Sequence, residues 1–199
     1  MQHFMSEKSP DELFVLLHGT GGNEFSLLFL TGELNPKASL ISFIGNHLTG
    51  EQRRYFPLPT NGQLDQPSFN VAVDDFLEEW DKLELDYPQI TFIGYSNGAN
   101  LLQGILQKRP NIAQRVVLLH PQEFQLEFEN EIGNCQVLLT TGANDPLVIP
   151  GDAMALSKRL RERFKEVELI ITDGEHGVTD EEIFKVRQWY QGKINPVIE

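Results

Sequence analysis

The chain has 199 residues, of which 40% are hydrophobic and 23% charged, and its formal net charge is −13. These proportions are ordinary for a globular protein and fit a single domain over residues 1–199 with a sizeable core. The negative charge repels phosphate backbones and anionic lipids, so it argues against nucleic acid and membranes as partners. No apolar run reaches the ~18 residues that a membrane helix needs, and we do not expect the N-terminal residues to be a signal peptide. The chain has one cysteine, Cys135, which excludes an internal disulfide. We therefore expect a cytoplasmic protein.

Short apolar runs and segments of helical periodicity alternate along the chain. Strands are predicted at 13–17, 39–44, 90–93, 115–119, 136–140 and 167–171. Helices are predicted at 24–30, 69–85, 100–108, 152–164 and 179–190. Asp152 is the predicted cap of the fourth helix, and Thr179 and Glu182 suggest a capping box in the fifth. The alternation predicts an α/β fold, a three-layer sandwich in which helices cover both faces of a mainly parallel sheet.

Two segments depart from this alternation. The stretch from Leu48 to Pro67 is rich in glycine and proline and is predicted to be a long loop, a kind of segment that is usually functional or mobile. The N-terminus, which includes His3, has no long apolar run and is expected to be mobile.

Gly94–Gly98 has the pattern Gly-x-Ser-x-Gly directly after a predicted strand. In this pattern the serine occupies a strained turn between a strand and a helix, and the glycines allow the two elements to approach closely. The serine oxygen then lies beside the free N–H groups of the helix N-terminus. Ser96 is therefore a candidate nucleophile, although a glycine-flanked serine in an ordinary turn has the same local sequence.

Asp145 and His176 are the candidate partners of Ser96. Each lies in a loop after a predicted strand, and the carboxyl ends of parallel strands form the usual site in such folds. The order Ser, Asp, His is that of α/β-hydrolases, in which a neutral histidine accepts the serine proton and a carboxylate orients that histidine. His176 is favoured because it alone of the histidines follows the last strand. The rivals are Asp152 and Asp173 as the acid and His3, His18, His47 and His120 as the base.

A tetrahedral intermediate needs at least two hydrogen-bond donors for its oxyanion. The backbone N–H of Asn97, directly after Ser96, is one candidate. Thr20, in the glycine-rich loop after the first strand, is the other, and His18 is expected to orient that loop. A phosphate-binding turn is the alternative, but neither Gly-x-Gly-x-x-Gly nor a Walker pattern is present.

Three segments, 16–24, 94–100 and 141–146, together resemble the phospholipase/carboxylesterase/thioesterase family of small α/β-hydrolases, above all its bacterial carboxylesterases of the quinone-stress hydrolase type. The resemblance implies a minimal α/β-hydrolase fold without a large lid, and an esterase that needs no cofactor or metal. It also suggests that Tyr55 or Phe56 lines the substrate site, and His120, at another strand end, could line the pocket. The loop of His176 differs, since the family commonly has glycine before the histidine and this chain has Glu175.

The sequence thus predicts a serine carboxylesterase that hydrolyses a small-molecule ester through an acyl-enzyme. Thioesterase and lysophospholipase-like activities are alternatives within the family. The alternatives outside it are a C–C hydrolase, a lactonase, and a catalytically silent binding module with the same fold. Trp189 and Tyr190 on the last helix could serve a homodimer contact or pack internally.

Overall fold

The computed structural model describes residues 1–128 and 132–192, and its centre is a sheet of seven strands. The strands are β1 (His3–Ser6), β2 (Ser9–Leu17), β3 (Ala38–Phe43), β4 (Gln89–Tyr95), β5 (Arg115–Leu119), β6 (Gly133–Gly142) and β7 (Phe164–Thr172). Their order across the sheet is β1-β3-β2-β4-β5-β6-β7, and β1 pairs with β3 in the antiparallel direction while all other neighbours are parallel. The carboxyl ends of the six parallel strands therefore meet at one edge.

Five helices cover the two faces of the sheet within the described residues. They are α1 (Leu28–Leu34), α2 (Gln66–Lys82), α3 (Asn97–Lys108), α4 (Pro150–Arg161) and α5 (Asp180–Tyr190). Strand β2 illustrates why its sequence is continuously apolar: Leu13, Val15 and Leu17 join the core under α2, α3 and α4, whereas Phe14 and Leu16 join the core under α1 and α5. The predicted three layers with a mainly parallel sheet are confirmed.

The N-terminus differs from its prediction. His3–Ser6 forms an edge strand instead of a mobile tail, with Phe4 opposite Ser42 in β3. The ring of His3 lies 5.6 Å from that of Phe43. A strand this short, paired along one edge, has too few apolar residues to be recognised from sequence.

Three helices also start at residues other than those that periodicity predicts. Helix α2 begins at Gln66, where the Asp65 carboxylate accepts a hydrogen bond from Ser68 N–H at 3.3 Å. Helix α4 begins at Pro150 after Ile149, so Asp152 lies in the first turn and is not the cap. Helix α1 begins at Leu28, after a series of turns over residues 24–27, although the periodicity predicts a helix from residue 24.

The segment Leu48–Pro67 is a long loop, as predicted, and most of it is tied down. It contains a short 3₁₀ turn at Gly50–Gln52 and an antiparallel bridge between His47 and Arg54. Tyr55 and Phe56 are 2% and 1% exposed. The loop is thus held between the core and the carboxyl edge of the sheet.

Trp189 is buried in the core under α1 and α5, and the Tyr190 hydroxyl donates to the Glu12 carboxylate at 2.6 Å, so both pack within the chain. The homodimer stays a prediction.

No helix within residues 1–128 or 132–192 is long and apolar enough to cross a membrane. The predicted single domain over residues 1–199 includes residues 129–131 and 193–199, which lie outside the described part of the chain.

Candidate active site

Ser96 lies at the tip of a strained turn between β4 and α3. Its φ of +50° and ψ of −112° are rare for a residue with a side chain. The flanking glycines make this turn possible, because a Cβ at Gly94 would lie 2.7 Å from Ala99 N and a Cβ at Gly98 would lie 2.1 Å from Leu17 O. The predicted strand–turn–helix around Ser96 is therefore present.

Ser96, His176 and Asp145 form a continuous hydrogen-bonded chain. His176 Nε2 lies 3.0 Å from Ser96 Oγ, and His176 Nδ1 lies 2.7 Å from Asp145 Oδ2. Asp145 is 4% exposed, and its other oxygen accepts from Leu147 N–H at 2.8 Å and Val148 N–H at 3.0 Å. Burial tends to raise the pKa of Asp145, but these backbone bonds and the two neighbouring histidines outweigh it and lower the pKa. The carboxylate is thus ready to hold a charged imidazole.

Three residues directly after strands continue the ladder of the sheet by one step. The bonds join Ser96 N to Leu119 O at 2.9 Å, His120 N to Thr140 O at 2.9 Å and Ala143 N to Thr172 O at 2.7 Å. The loops after β4, β5 and β6 therefore each start from a position that the neighbouring strand fixes.

The loop that carries His176 is fixed from two sides. Asn144 N–H donates to Gly174 O at 3.0 Å, and a Cβ at Gly142 would lie 2.3 Å from that carbonyl oxygen. The Tyr95 hydroxyl donates to His176 O at 2.9 Å. Burial, followed by the charges of Asp145 and Glu182, raises the pKa of Tyr95 to about 12, so the hydroxyl keeps its proton at neutral pH.

Thr20 and Asn97 lie beside Ser96, in the wall of a cavity that opens next to the serine. In the loop after β2, Gly21 N–H donates to Arg53 O at 2.8 Å and Gly22 N–H to Gly19 O at 3.0 Å. Among the described residues, no backbone bond occupies the N–H groups of Thr20 and Asn97. The N–H of Asn97 is one of the free donors of the first turn of α3. Both predicted oxyanion donors are therefore available.

His18 orients the loop of Thr20, as expected. Its Nδ1 donates to Gly19 O at 2.6 Å, and its Nε2 accepts from Gly45 N–H at 3.0 Å. The second contact requires a lone pair on Nε2, so the ring is neutral with its proton on Nδ1. Burial lowers the pKa of His18, in agreement with a neutral ring.

A cavity of about 470 Å³ opens beside Ser96. Its walls are mainly apolar, and they come from the long loop and from the loop after β6: Phe56, Leu58, Pro59, Gly62, Leu147 and Val148. The polar residues beside Ser96 and His176 are Thr20, Tyr95, Asn97, Asn100 and Gln122.

Phe56 lies in the cavity wall, but Tyr55 does not, which corrects the expectation that it lines the substrate site. The Tyr55 hydroxyl accepts from His18 N–H at 3.0 Å and donates to Phe43 O at 2.9 Å, while Tyr55 N–H donates to the Asn97 side chain at 2.8 Å. Tyr55 therefore joins the long loop to the ends of β2 and β3 and to the turn that carries Ser96.

His120 does not line the cavity either, a second correction, because it is fully buried behind Asp145. Its Nδ1 lies 3.0 Å from Asp145 Oδ2, and its Nε2 lies 3.1 Å from Glu182 Oε2. Sequence reasoning missed Glu182 as a site residue. The Thr179 hydroxyl does accept from Glu182 N–H at 3.2 Å, but the Glu182 side chain bonds Thr140 and His120 instead of completing the capping box.

Among the described residues, His120, Asp145 and His176 also place potential metal-ligand atoms within 4.8 Å of one another. The ring nitrogens that face Asp145 are Nδ1 of both histidines, and each donates a proton to Oδ2. A metal ion would have to replace both protons, so hydrogen bonding accounts for the cluster more simply.

No protein-family model matches the chain. Its sequence and fold are similar to those of bacterial esterases. A carboxylesterase from Mesorhizobium loti is 30% identical, with a TM-score of 0.80 over 93% of this chain and 90% of that one. A carboxylesterase from Bacillus cereus is 29% identical, with a TM-score of 0.85 over 98% of this chain and 95% of that one. MhqD of Bacillus subtilis, a provisionally assigned hydrolase, is 29% identical over 199 residues, which cover 98% of this chain and 100% of MhqD.

The mainly parallel sheet with helices on both faces, shared with these carboxylesterases, is the α/β-hydrolase fold. Within that class, the chain belongs to the family of small α/β-hydrolase esterases. The resemblance carried by the three sequence segments is thereby confirmed, and the protein is a hydrolase of the esterase type.

Proposed function

We propose that the protein is a serine hydrolase of carboxylic esters, with Ser96 as nucleophile, His176 as base and Asp145 as the acid of the triad. The observation that carries this proposal is the chain of hydrogen bonds from Ser96 Oγ through His176 to the buried Asp145, at 3.0 and 2.7 Å, beside an open cavity. This is the geometry in which a serine hydroxyl loses its proton as it attacks.

In each step of the proposed hydrolysis, His176 takes up or releases one proton. Ser96 Oγ attacks the ester carbonyl while His176 Nε2 takes the hydroxyl proton, and Asp145 stabilises the imidazolium. The N–H groups of Thr20 and Asn97 hold the oxyanion of the tetrahedral intermediate. His176 then returns its proton to the leaving alcohol, and the acyl group stays on Ser96. A water molecule repeats the sequence and releases the carboxylic acid.

The cavity favours a neutral, apolar acyl group. No Asp, Glu, Lys or Arg is among the residues that line it in the described part of the chain. The protein carries a formal net charge of −13, which disfavours an anionic substrate. A lysophospholipid headgroup fits these features less well than a small uncharged ester. A thioester would use the same residues and stays an alternative.

Labelling by a fluorophosphonate probe, together with hydrolysis of p-nitrophenyl esters of rising acyl length, tests the proposal. Ser96→Ala should abolish labelling and lower kcat by at least about 10⁴-fold. Ser6→Ala in the edge strand β1 is the matched control and should behave like the wild type. A wild type that does not label, or a Ser96→Ala variant that labels equally, would overturn it.

The other candidate functions give different results in the same assays. Normal ligand binding without turnover of any ester would indicate a silent binding module. A parallel series of thioesters, measured with the same variants, decides between ester and thioester as the better substrate.

A further inference from the structure

Asp145 Oδ2 accepts two hydrogen bonds, one from each of two histidines. His176 Nδ1 lies at 2.7 Å and His120 Nδ1 at 3.0 Å. Catalysis by the proposed triad uses only the first of these bonds. The second comes from a residue that is fully buried and makes no contact with the cavity.

His120 is itself held by a buried carboxylate. Its Nε2 lies 3.1 Å from Glu182 Oε2, and Glu182 Oε1 accepts from the Thr140 hydroxyl at 2.5 Å. Both His120 and Glu182 are 0% exposed. A buried carboxylate is costly unless it is fully hydrogen-bonded, so this arrangement favours a specific role over chance packing.

Both ring nitrogens of His120 face carboxylate oxygens, so both contacts need a proton. Burial lowers the pKa of His120, but the hydrogen bond and charge of Glu182, followed by those of Asp145, outweigh burial and raise it. The other groups packed against the ring are Tyr95, with ring centroids 5.9 Å apart, and His176, at 5.2 Å. Nothing among these neighbours competes for the proton on Nδ1.

The backbone of His120 adds an independent observation. Its φ is +52°, a positive value that is uncommon for residues with side chains and that Ser96 shares, at +50°. Such strain persists where the surrounding structure imposes it and is typical of functional positions. The strained backbone of His120, directly after β5, holds the ring that contacts Asp145 and Glu182.

We propose that His120, held by Glu182 and Thr140, is a positioning residue that gives Asp145 a second N–H donor and thereby divides the charge that this carboxylate presents to His176. The inference rests on the proposed roles of Asp145 and His176. The physical reason is electrostatic: a carboxylate that shares its charge between two donors attracts the proton of an imidazolium less strongly. Without the donor from His120, more of the charge of Asp145 would act on His176.

Two amide substitutions separate this role from a purely structural one. In His120→Asn the amide nitrogen can occupy the place of Nδ1 and keep the donor to Asp145, whereas in His120→Gln it takes the place of Nε2 and leaves Asp145 without it. Both variants lose the ring and its charge. The acidic limb of the pH profile of kcat/KM should lie about one pH unit higher in His120→Gln than in His120→Asn. Coincident profiles would overturn the proposal.

A readout without turnover separates this inference from the proposed function. NMR titration of the His176 ring should have its midpoint displaced in the same direction between the two variants, whether or not any ester is hydrolysed. If Ser96→Ala leaves activity intact while the displacement is present, the proposed function fails and the coupling of the histidines stands. If Ser96 proves essential and the titrations coincide, the inference fails alone.

A double variant covers the case in which the single variants do not fold. His120→Phe combined with Glu182→Leu removes both buried polar groups together, a change that proteins tolerate better than the loss of one partner. It lacks the donor to Asp145, so its acidic limb should lie above that of the wild type by about one pH unit. A double variant with the wild-type profile would contradict the proposal.

Discussion

Single glycines in this protein differ sharply in what surrounds them. A Cβ at Gly98 would lie 2.1 Å from Leu17 O and 2.6 Å from His18 O, both backbone atoms that cannot move without disturbing β2. Gly98→Ala should therefore lower the free energy of unfolding by about 3 kcal/mol. Urea denaturation measures the change.

Gly32 provides the matched control, since it lies within α1 and a Cβ there would have no atom within 4 Å. Gly32→Ala should raise the free energy of unfolding by about 0.5–1 kcal/mol, because alanine has the higher helix propensity. Equal effects of the two substitutions would contradict the inference that close backbone contact requires glycine at position 98.

Some residues of the candidate site are predictable from the sequence and others are not. Ser96, Asp145 and His176 are predictable because a motif and an order of strand ends constrain them, and Thr20 and Asn97 follow from the need for an oxyanion. Glu182 is not, because its spacing to Thr179 is also that of an ordinary helix cap. The burial of Tyr55 depends on contacts with β2, β3 and α3 that no local pattern reports.

Among the connecting segments, the loop of His176 receives one of its hydrogen bonds from a hydroxyl of β4. Tyr95→Phe removes the hydrogen bond to His176 O, which measures 2.9 Å, and leaves the ring in place. The loosened base should lower kcat/KM about 10-fold with little loss of stability. Steady-state kinetics and thermal unfolding together measure the two effects.

Tyr190→Phe is the control, because it also removes a tyrosine hydroxyl from a hydrogen bond, here to the Glu12 carboxylate at 2.6 and 2.7 Å, and it lies away from the cavity. It should lower stability and leave kcat/KM at the wild-type value. A loss of activity as large as that of Tyr95→Phe would mean that the hydroxyl of Tyr95 has no special role.

The two buried histidines should give stability opposite slopes with pH. The pKa of His18 is lowered in the folded state, so folding is penalised at low pH and stability rises as pH increases toward ~6.5, the unfolded value. The pKa of His120 is raised, so its contribution is complete below ~6.5 and is lost as pH rises through its folded pKa. Their joint contribution should peak near pH ~6.5.

Urea unfolding across pH 5 to 9, roughly the interval over which histidines change charge, tests this expectation. In the double variant His120→Phe/Glu182→Leu the decline on the alkaline side should become shallower, while the acidic side is unchanged. An unchanged alkaline slope would show that His120 does not cause it.

The strands and their order are more predictable than the ends of the helices. A continuous apolar run such as Leu13–Leu17 is typical of a strand that helices cover on both faces. The start of α2 depends on a single side-chain bond at Asp65, and an edge strand such as His3–Ser6 depends on a partner that lies far along the sequence. These dependencies are not visible in periodicity.

Over the molecule as a whole, the long loop and the hydrolase core have separate tasks. The core contributes Ser96, Asp145 and His176, and the long loop contributes the part of the apolar wall that includes Leu58. Leu58→Ala removes apolar surface from the cavity, so kcat/KM for p-nitrophenyl hexanoate relative to the acetate should change by about 3- to 10-fold. Stability should stay close to that of the wild type, because Leu58 is 50% exposed.

Leu48 belongs to the same loop and is 48% exposed, but it does not line the cavity. Leu48→Ala should therefore keep the wild-type ratio of hexanoate to acetate hydrolysis. A change as large as that of Leu58→Ala would indicate a general effect of the loop instead of a contact with the acyl chain.

The one-step extension of the ladder at Ser96, His120 and Ala143 has a consequence for how this protein can change over evolution. Each of these residues is anchored before its loop begins, so insertions farther along a loop need not disturb the spacing of the reacting groups. New substrate preferences can thus arise in the loops while the chemistry stays constant. A one-residue insertion inside β5 or β6, by contrast, would misplace two anchors at once and end activity in a single step.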